Sequence, residues 1–292
     1  MNKTSIVERY NRYQRAEFDL SRGIRDFFTL LFPSYREELD RYFWQYFRTY
    51  ENPDWKPTWN LVKAHQLGTF EDLSGQFDEL LDATTNEVGG LLTDGLVDGY
   101  HDGFDLGLWT MYQDGVEVSP EDVPPDDTYI ESLLLAAGFG GFTYLMRAKA
   151  WQGVTHSKFS QWLRGMVASE STLDETLGGL DGITTTYLGR LLGLGGDELY
   201  QAYNAGASAA FKRYPNWVSG EVWVTAQDER VCTICRPRHL TITNLLPIVD
   251  SHPNCRCVKV PVYVDDAGML TDPDGRHIEY DEFRLSFLHR GA

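Results

Sequence analysis

Between Lys63 and Arg147 the chain has no lysine and no arginine. Seventeen of its 43 acidic residues fall in that gap, from Glu71 and Asp72 to Asp127 and Glu131. The 26 acids elsewhere match 26 bases, so the formal charge of −17 belongs to one block. A block of that sign repels phosphate and argues against a broad nucleic-acid face there. It reads as a solvated acidic face or as a docking surface for a basic protein partner. Long apolar runs are also missing. No stretch of about 20 apolar residues exists, which argues against a membrane-spanning helix. The start, Met1 to Tyr10, is polar and then charged, without the apolar core of a secretory signal. The expectation is folding in a cytoplasm, where thiols stay reduced. Cysteine is scarce: four in 292 residues, all between Cys232 and Cys257.

What is present is enough for a folded protein, with 42% hydrophobic and 13% aromatic residues. Apolar positions recur at helical spacing in Phe18, Leu20, Ile24, Phe27, Phe28 and Leu31, and again in Leu39, Tyr42, Phe43, Tyr46 and Phe47. Pro33 separates the two runs, with Ser34 as a cap for the second. Residues 70–113 read as helix. Within them Gly95, Gly99, Gly103 and Gly107 recur every fourth position, a strip without side chains. Each glycine costs about 1 kcal/mol relative to alanine in a helix interior. Such a strip implies close approach of another backbone, in a tight intrachain crossing or a subunit contact. The interleaved Asp94, Asp98, Asp102 and Asp105 argue against a membrane version of this motif. Pro120, Pro124 and Pro125 mark a loop. Helices return from residue 129 to 215, with a capped start near Ser171 and Thr172 and a glycine-rich break at Gly193 to Gly196. After Pro215 the alternation of Glu221–Thr225 and Cys257–Val264 predicts strands, and Tyr280–Leu288 a final helix.

The predicted class is therefore mainly α: a long helical body followed by a small α+β C-terminal module with a Cys/His cluster. Three regions are expected. Residues 1–128 form an N-terminal helical region with the acidic, glycine-rich block. Residues 129–214 form a second helical region, and 215–292 the module and tail.

The module holds the chemistry. It reads Cys232-Thr-Ile-Cys235, then sixteen residues, then His252-Pro-Asn-Cys255-Arg-Cys257. Two tight turns, each offering a pair of ligands and joined by a loop of this length, suit a tetrahedral zinc site. Five candidates compete for four positions. Cys232, Cys235 and Cys255 lead, with His252 or Cys257 as the fourth. The alternatives are free thiols or two disulfides. A closed four-ligand site leaves no open position for water, so its role would be structural. A nucleobase deaminase would need His-x-Glu ahead of the cysteines, and a zincin His-Glu-x-x-His; neither is present. His239 reads as an ordinary loop residue.

The stretch Trp223-Val-Thr225-Ala-Gln-Asp228-Glu-Arg230-Val-Cys232-Thr-Ile-Cys235, closed by His252-Pro-Asn-Cys255-Arg256-Cys257, resembles the signature of the phage Mu F-like head morphogenesis family. The resemblance covers roughly residues 215–262. It departs from the family at Gly196-Asp197-Glu198, where Arg-Thr-Glu is usual, and at Arg236-Pro-Arg-His after the second cysteine. It implies a minor, low-copy structural protein of a tailed bacteriophage rather than an enzyme. Such a protein acts in head assembly in the host cytoplasm and stays in the capsid interior of the virion. The implied partners are the portal protein, the major capsid protein or scaffold, and the packaged genome through residues 230–259, with no membrane. Two other readings stay open. One is an effector or enzyme carried in the head, such as a hydrolase or transferase using Asp228, His252 and a cysteine. The other is a zinc module binding nucleic acid through Arg230, Arg236, Arg238, Arg256 and Lys259.

Overall fold

The computed structural model of the chain describes residues 3–51, 54–119, 121–136, 143–225, 231–239, 241–243, 255, 257–264 and 270–271. It is mainly helical, with a small antiparallel sheet and a cysteine cluster toward the C-terminus. The helices are α1 (Lys3–Tyr46), α2 (Leu61–Gln66), α3 (Thr69–Gln113), α4 (Asp127–Ala136), α5 (Tyr144–Ala168) and α6 (Leu173–Lys212). The strands are β1 (Phe47–Arg48), β2 (Thr58–Trp59), β3 (Val218–Val224), β4 (Ile242–Thr243), β5 (Val258–Val264) and β6 (Leu270–Thr271). Two compact units result: residues 20–92 with 144–194, and residues 1–19 with 93–143 and 195–292.

Two expected breaks are absent. α1 runs through Pro33 without ending. Its buried positions Ile24, Phe28, Tyr35, Leu39 and Phe43 keep one stripe in phase on both sides of the proline. Burial of that stripe outweighs the lost hydrogen bond, because Pro33 and Thr29, whose carbonyl loses its donor, lie on the exposed face. Ser34 does not cap; its hydroxyl donates to the Leu31 carbonyl at 2.7 Å. Phe18 is 62% exposed, against expectation. Six residues from Ile24 is about 240° around a helix, away from the stripe.

The second missing break is at Gly193 to Gly196, where α6 continues. Leu191, Leu194 and Leu199 are buried there, and the Gly196 carbonyl accepts from Tyr13 Oη at 3.2 Å. A Cβ at Gly196 would meet Glu17 Oε1 at 3.0 Å, so the glycine admits α1. The expected start of α6 is present as a reciprocal cap. The Glu175 amide donates to Thr172 Oγ1 at 3.3 Å, and the Thr172 amide donates to Glu175 Oε2 at 2.8 Å. Residues 129–149 contribute to both α4 and α5.

The unit of residues 20–92 and 144–194 is held by aromatic packing. Phe77 stacks on Phe159 with centroids 3.9 Å apart, and Phe43 meets Trp59 edge-on at 5.2 Å. Polar ties cross the same core: Trp59 Nε1 donates to Thr176 Oγ1 at 3.1 Å, and the Thr85 and Tyr187 hydroxyls lie 2.6 Å apart.

In the other unit, α3 and α6 cross backbone to backbone. A Cβ at Gly99 would lie 2.5 Å from the Leu199 side chain, one at Gly103 1.9 Å from the Tyr203 carbonyl oxygen, and one at Gly107 2.9 Å from Ala210. Gly206 answers from α6, where a Cβ would stand 2.0 Å from the Tyr100 carbonyl oxygen. These glycines thus serve an intrachain crossing. Asp94, Asp98, Asp102 and Asp105 occupy the exposed face of the same helix. The sheet has the order β4-β3-β5-β6, all antiparallel, with Glu221 opposite Pro261 and Trp223 opposite Lys259. Phe104, Met111, Ala207, Phe211, Val218 and Tyr263 form a common core. Tyr263 Oη donates to the buried Asp114 carboxylate at 2.8 Å.

Candidate metal centre

The two halves of the cysteine motif come together. The Sγ atoms of Cys235, Cys255 and Cys257 all lie within 4.8 Å of one another, and all three residues are buried. The Cys235 and Cys255 sulfurs are 3.7 Å apart. Ligand sulfurs at about 2.3 Å from a tetrahedral zinc stand about 3.8 Å from each other, so the spacing fits such an ion. None of the four cysteines is joined in a disulfide in this structure.

Local geometry explains the cluster. Cys232 to Cys235 is a tight turn: the Cys235 amide donates to Cys232 Sγ at 3.2 Å, and the Arg236 amide to the Cys232 carbonyl at 3.0 Å. A short 3-10 turn, Arg236–Arg238, follows. Cys255 and Cys257 lie just ahead of β5, where a period of two puts alternate residues on one side. Cys232, expected among the leading ligands, is half-buried at the margin of the three-sulfur group. Cys257, expected only as a candidate fourth ligand, is within it. His252, Asp228, Arg230 and Arg256 lie outside the described residues.

The thiols do not share protons equally. Cys255 is drawn down to about 5, chiefly by the hydrogen bond from Cys257, with Tyr200 contributing. Burial pushes Cys235 up to about 12, helped by the charge on Cys255. Cys257 is raised, first by its bond to Cys255 and then by burial. Cys235 and Cys257 therefore favour the neutral thiol beside the Cys255 thiolate, and a bound cation would displace their protons.

The remaining signature residues anchor the turn that carries Cys235. Trp223 is 3% exposed; its amide donates to the Thr241 carbonyl at 3.0 Å, and its ring lies 5.6 Å beneath the Arg238 guanidinium. The Thr225 amide donates to His239 Nδ1 at 3.2 Å, which fixes that nitrogen as an acceptor and leaves the proton on Nε2. His239, read from sequence as an ordinary loop residue, therefore ties the turn to the end of β3. Lys259 also differs from expectation. It does not belong to an exposed basic patch: its Nζ is buried 3.1 Å from the Glu221 carboxylate, which also accepts from the Ser208 hydroxyl.

Sequence reasoning missed Tyr200, Asn204 and Ser208, buried polar positions recurring every fourth residue on α6. That spacing was the available signal, since a buried polar stripe on an otherwise apolar face needs partners. No protein-family model, curated protein or solved structure matches the chain. Among the described residues no helix is long and apolar enough to cross a membrane.

Proposed function

We propose that the chain is a minor head protein of a tailed bacteriophage, of the Mu F type, and that it holds a structural zinc ion. It docks on the portal or inner shell during assembly in the host cytoplasm, and remains in the capsid interior beside the genome. The observation that carries this reading is the meeting of Cys235 with Cys255 and Cys257, which makes one buried sulfur group from the two halves of the motif. Thiolate sulfur at tetrahedral spacing favours zinc. Cys235, Cys255 and Cys257 would hold it, with Cys232 or His252 as the fourth donor. The ion would pin the Cys232–Cys235 turn to the start of β5.

The nucleic-acid alternative loses Lys259 to its ion pair with Glu221. The test is a pull-down of the purified full chain against the portal protein of its parent phage, alongside metal analysis of the same preparation. Portal capture by a chain carrying one zinc supports the assignment. A zinc-loaded chain that ignores portal and procapsids removes the head assignment and leaves the metal centre standing.

A further inference from the structure

α6 and β5 advance in step beside the sulfur group. Ser208 contacts Glu221, which lies opposite Pro261. One turn earlier, Asn204 Oδ1 accepts from the Lys259 amide at 3.2 Å, while its Nδ2 donates to the Tyr200 carbonyl at 3.0 Å. Four helical residues rise about 6 Å, and two strand residues about 6.7 Å. One further turn therefore brings Tyr200 abreast of Cys257, with the Cys255, Cys257 and Cys235 sulfurs as its neighbours. Tyr200 is 2% exposed, and its hydroxyl makes no hydrogen bond, to nitrogen, oxygen or sulfur, among the described residues. A buried hydroxyl without a partner is costly, and sulfur is the acceptor in front of it.

We infer that Tyr200 is a positioning residue of the metal centre, a buried spare donor whose hydroxyl bonds the Cys255 sulfur when the ion binds and fixes that sulfur on it. The inference rests on the metal-binding reading above. A metal-bound thiolate carries no hydrogen, so toward it the phenol can only donate. Hydrogen bonds of this kind orient a ligand and lower the energy of the sulfur lone pair. Their removal costs about 10–100-fold in metal affinity.

The test uses the full chain loaded with cobalt(II), whose sulfur-to-metal charge-transfer band reports the lone-pair energy. In Tyr200→Phe the band should move to longer wavelength and cobalt affinity should fall about 10–100-fold. Tyr187→Phe is the control, because it removes a buried hydroxyl bonded to Thr85 on another stretch of α6. It should leave both readings unchanged. Should Tyr200→Phe not fold, cadmium-113 NMR of the unmutated chain decides. A tyrosine hydroxyl proton coupled to the metal through sulfur supports the inference, and its absence overturns it. An unchanged band and affinity in folded Tyr200→Phe also overturn it while leaving the metal centre intact. A wild-type chain that binds neither cobalt nor zinc overturns the metal centre itself, and this inference with it.

Discussion

Gly103 on α3 and Tyr203 on α6 meet main chain to main chain, so closely that a methyl group on Gly103 would stand 1.9 Å from the Tyr203 carbonyl oxygen. The obstacle is backbone, which cannot swing aside as a side chain can. Gly103→Ala gains about 1 kcal/mol of helix propensity. Separating two packed helices typically costs 1–3 kcal/mol or more, so the net expectation is a loss of about 2 kcal/mol. Gly90→Ala on the same helix meets nothing within 4 Å and should add roughly 0.5–1 kcal/mol. Urea unfolding of both variants checks the pair. Equal stabilisation by both would show that α3 and α6 do not cross here.

Glu221 and Lys259 form an ion pair with side chains 0% and 5% exposed. Lys259→Met leaves the Glu221 carboxylate buried with only the Ser208 hydroxyl, and should destabilise by about 3–5 kcal/mol. Glu221→Gln combined with Lys259→Met should recover most of that loss, since neither charge then remains. A double-mutant cycle by chemical denaturation measures the coupling. Additive losses would mean that the two groups do not interact.

The sequence foretold the parts of the fold governed by local periodicity. α3, β3 and β5 follow from spacing alone, as does the Thr172–Glu175 cap. Pro33 and Gly193 to Gly196 misled because breaker residues carry a local cost, whereas Ile24, Leu39, Leu191 and Leu199 supply a tertiary gain. The cysteines were legible as a group because their spacing defines the turns. Which three converge was not legible, because that depends on where β5 begins relative to the Cys232–Cys235 turn. Asn204 and His239 were missed for the same reason: their partners lie 55 and 14 residues away, at Lys259 and Thr225.

The capping pair at α6 predicts a pH signature. Glu175 is held below the ordinary carboxylate range, first by the Thr172 amide and then by its hydroxyl. A carboxylate with a depressed folded-state value contributes stability above its unfolded value near 4.5, lost as pH falls through the folded value. Glu175→Ala should cost about 0.5–1 kcal/mol at pH 7, and the gap to wild type should narrow below about pH 4. Thermal unfolding across that range is the check; a gap independent of pH would remove Glu175 from the cap.

If the sulfur group holds a structural ion, removing the ion should loosen the module. Cys235→Ser, Cys255→Ser and Cys257→Ser should each abolish stoichiometric zinc, measured by plasma mass spectrometry of dialysed protein. Cys232→Ser and His252→Ala separate the two candidates for the fourth position: the true donor's loss weakens zinc binding sharply, and the other's does not. A chelator should lower the unfolding midpoint of wild type but not of Cys235→Ser, because only the metal-loaded state gains from mass action. A midpoint indifferent to chelator in both would leave the cysteines as buried thiols.

Asp94, Asp98, Asp102 and Asp105 stand on the exposed face of α3, opposite the glycines that meet α6. Like charges four residues apart on a helix cost about 0.2–0.5 kcal/mol per pair. Asp98 has such a neighbour on each side. Asp98→Lys replaces two repulsions with two attractions and should stabilise the chain by about 0.5–1 kcal/mol at low salt, less as salt rises. A protein that keeps a destabilising strip has a use for it, and a basic partner surface is the use that charge complementarity suggests. If the portal is the partner proposed above, the same variant should bind it more weakly while folding more firmly, with the larger effect on the association rate. Reversing Asp94, Asp98, Asp102 and Asp105 together to lysine should deepen both trends. If portal capture survives the fourfold reversal at low salt, the strip is solvated surface and the docking face lies elsewhere.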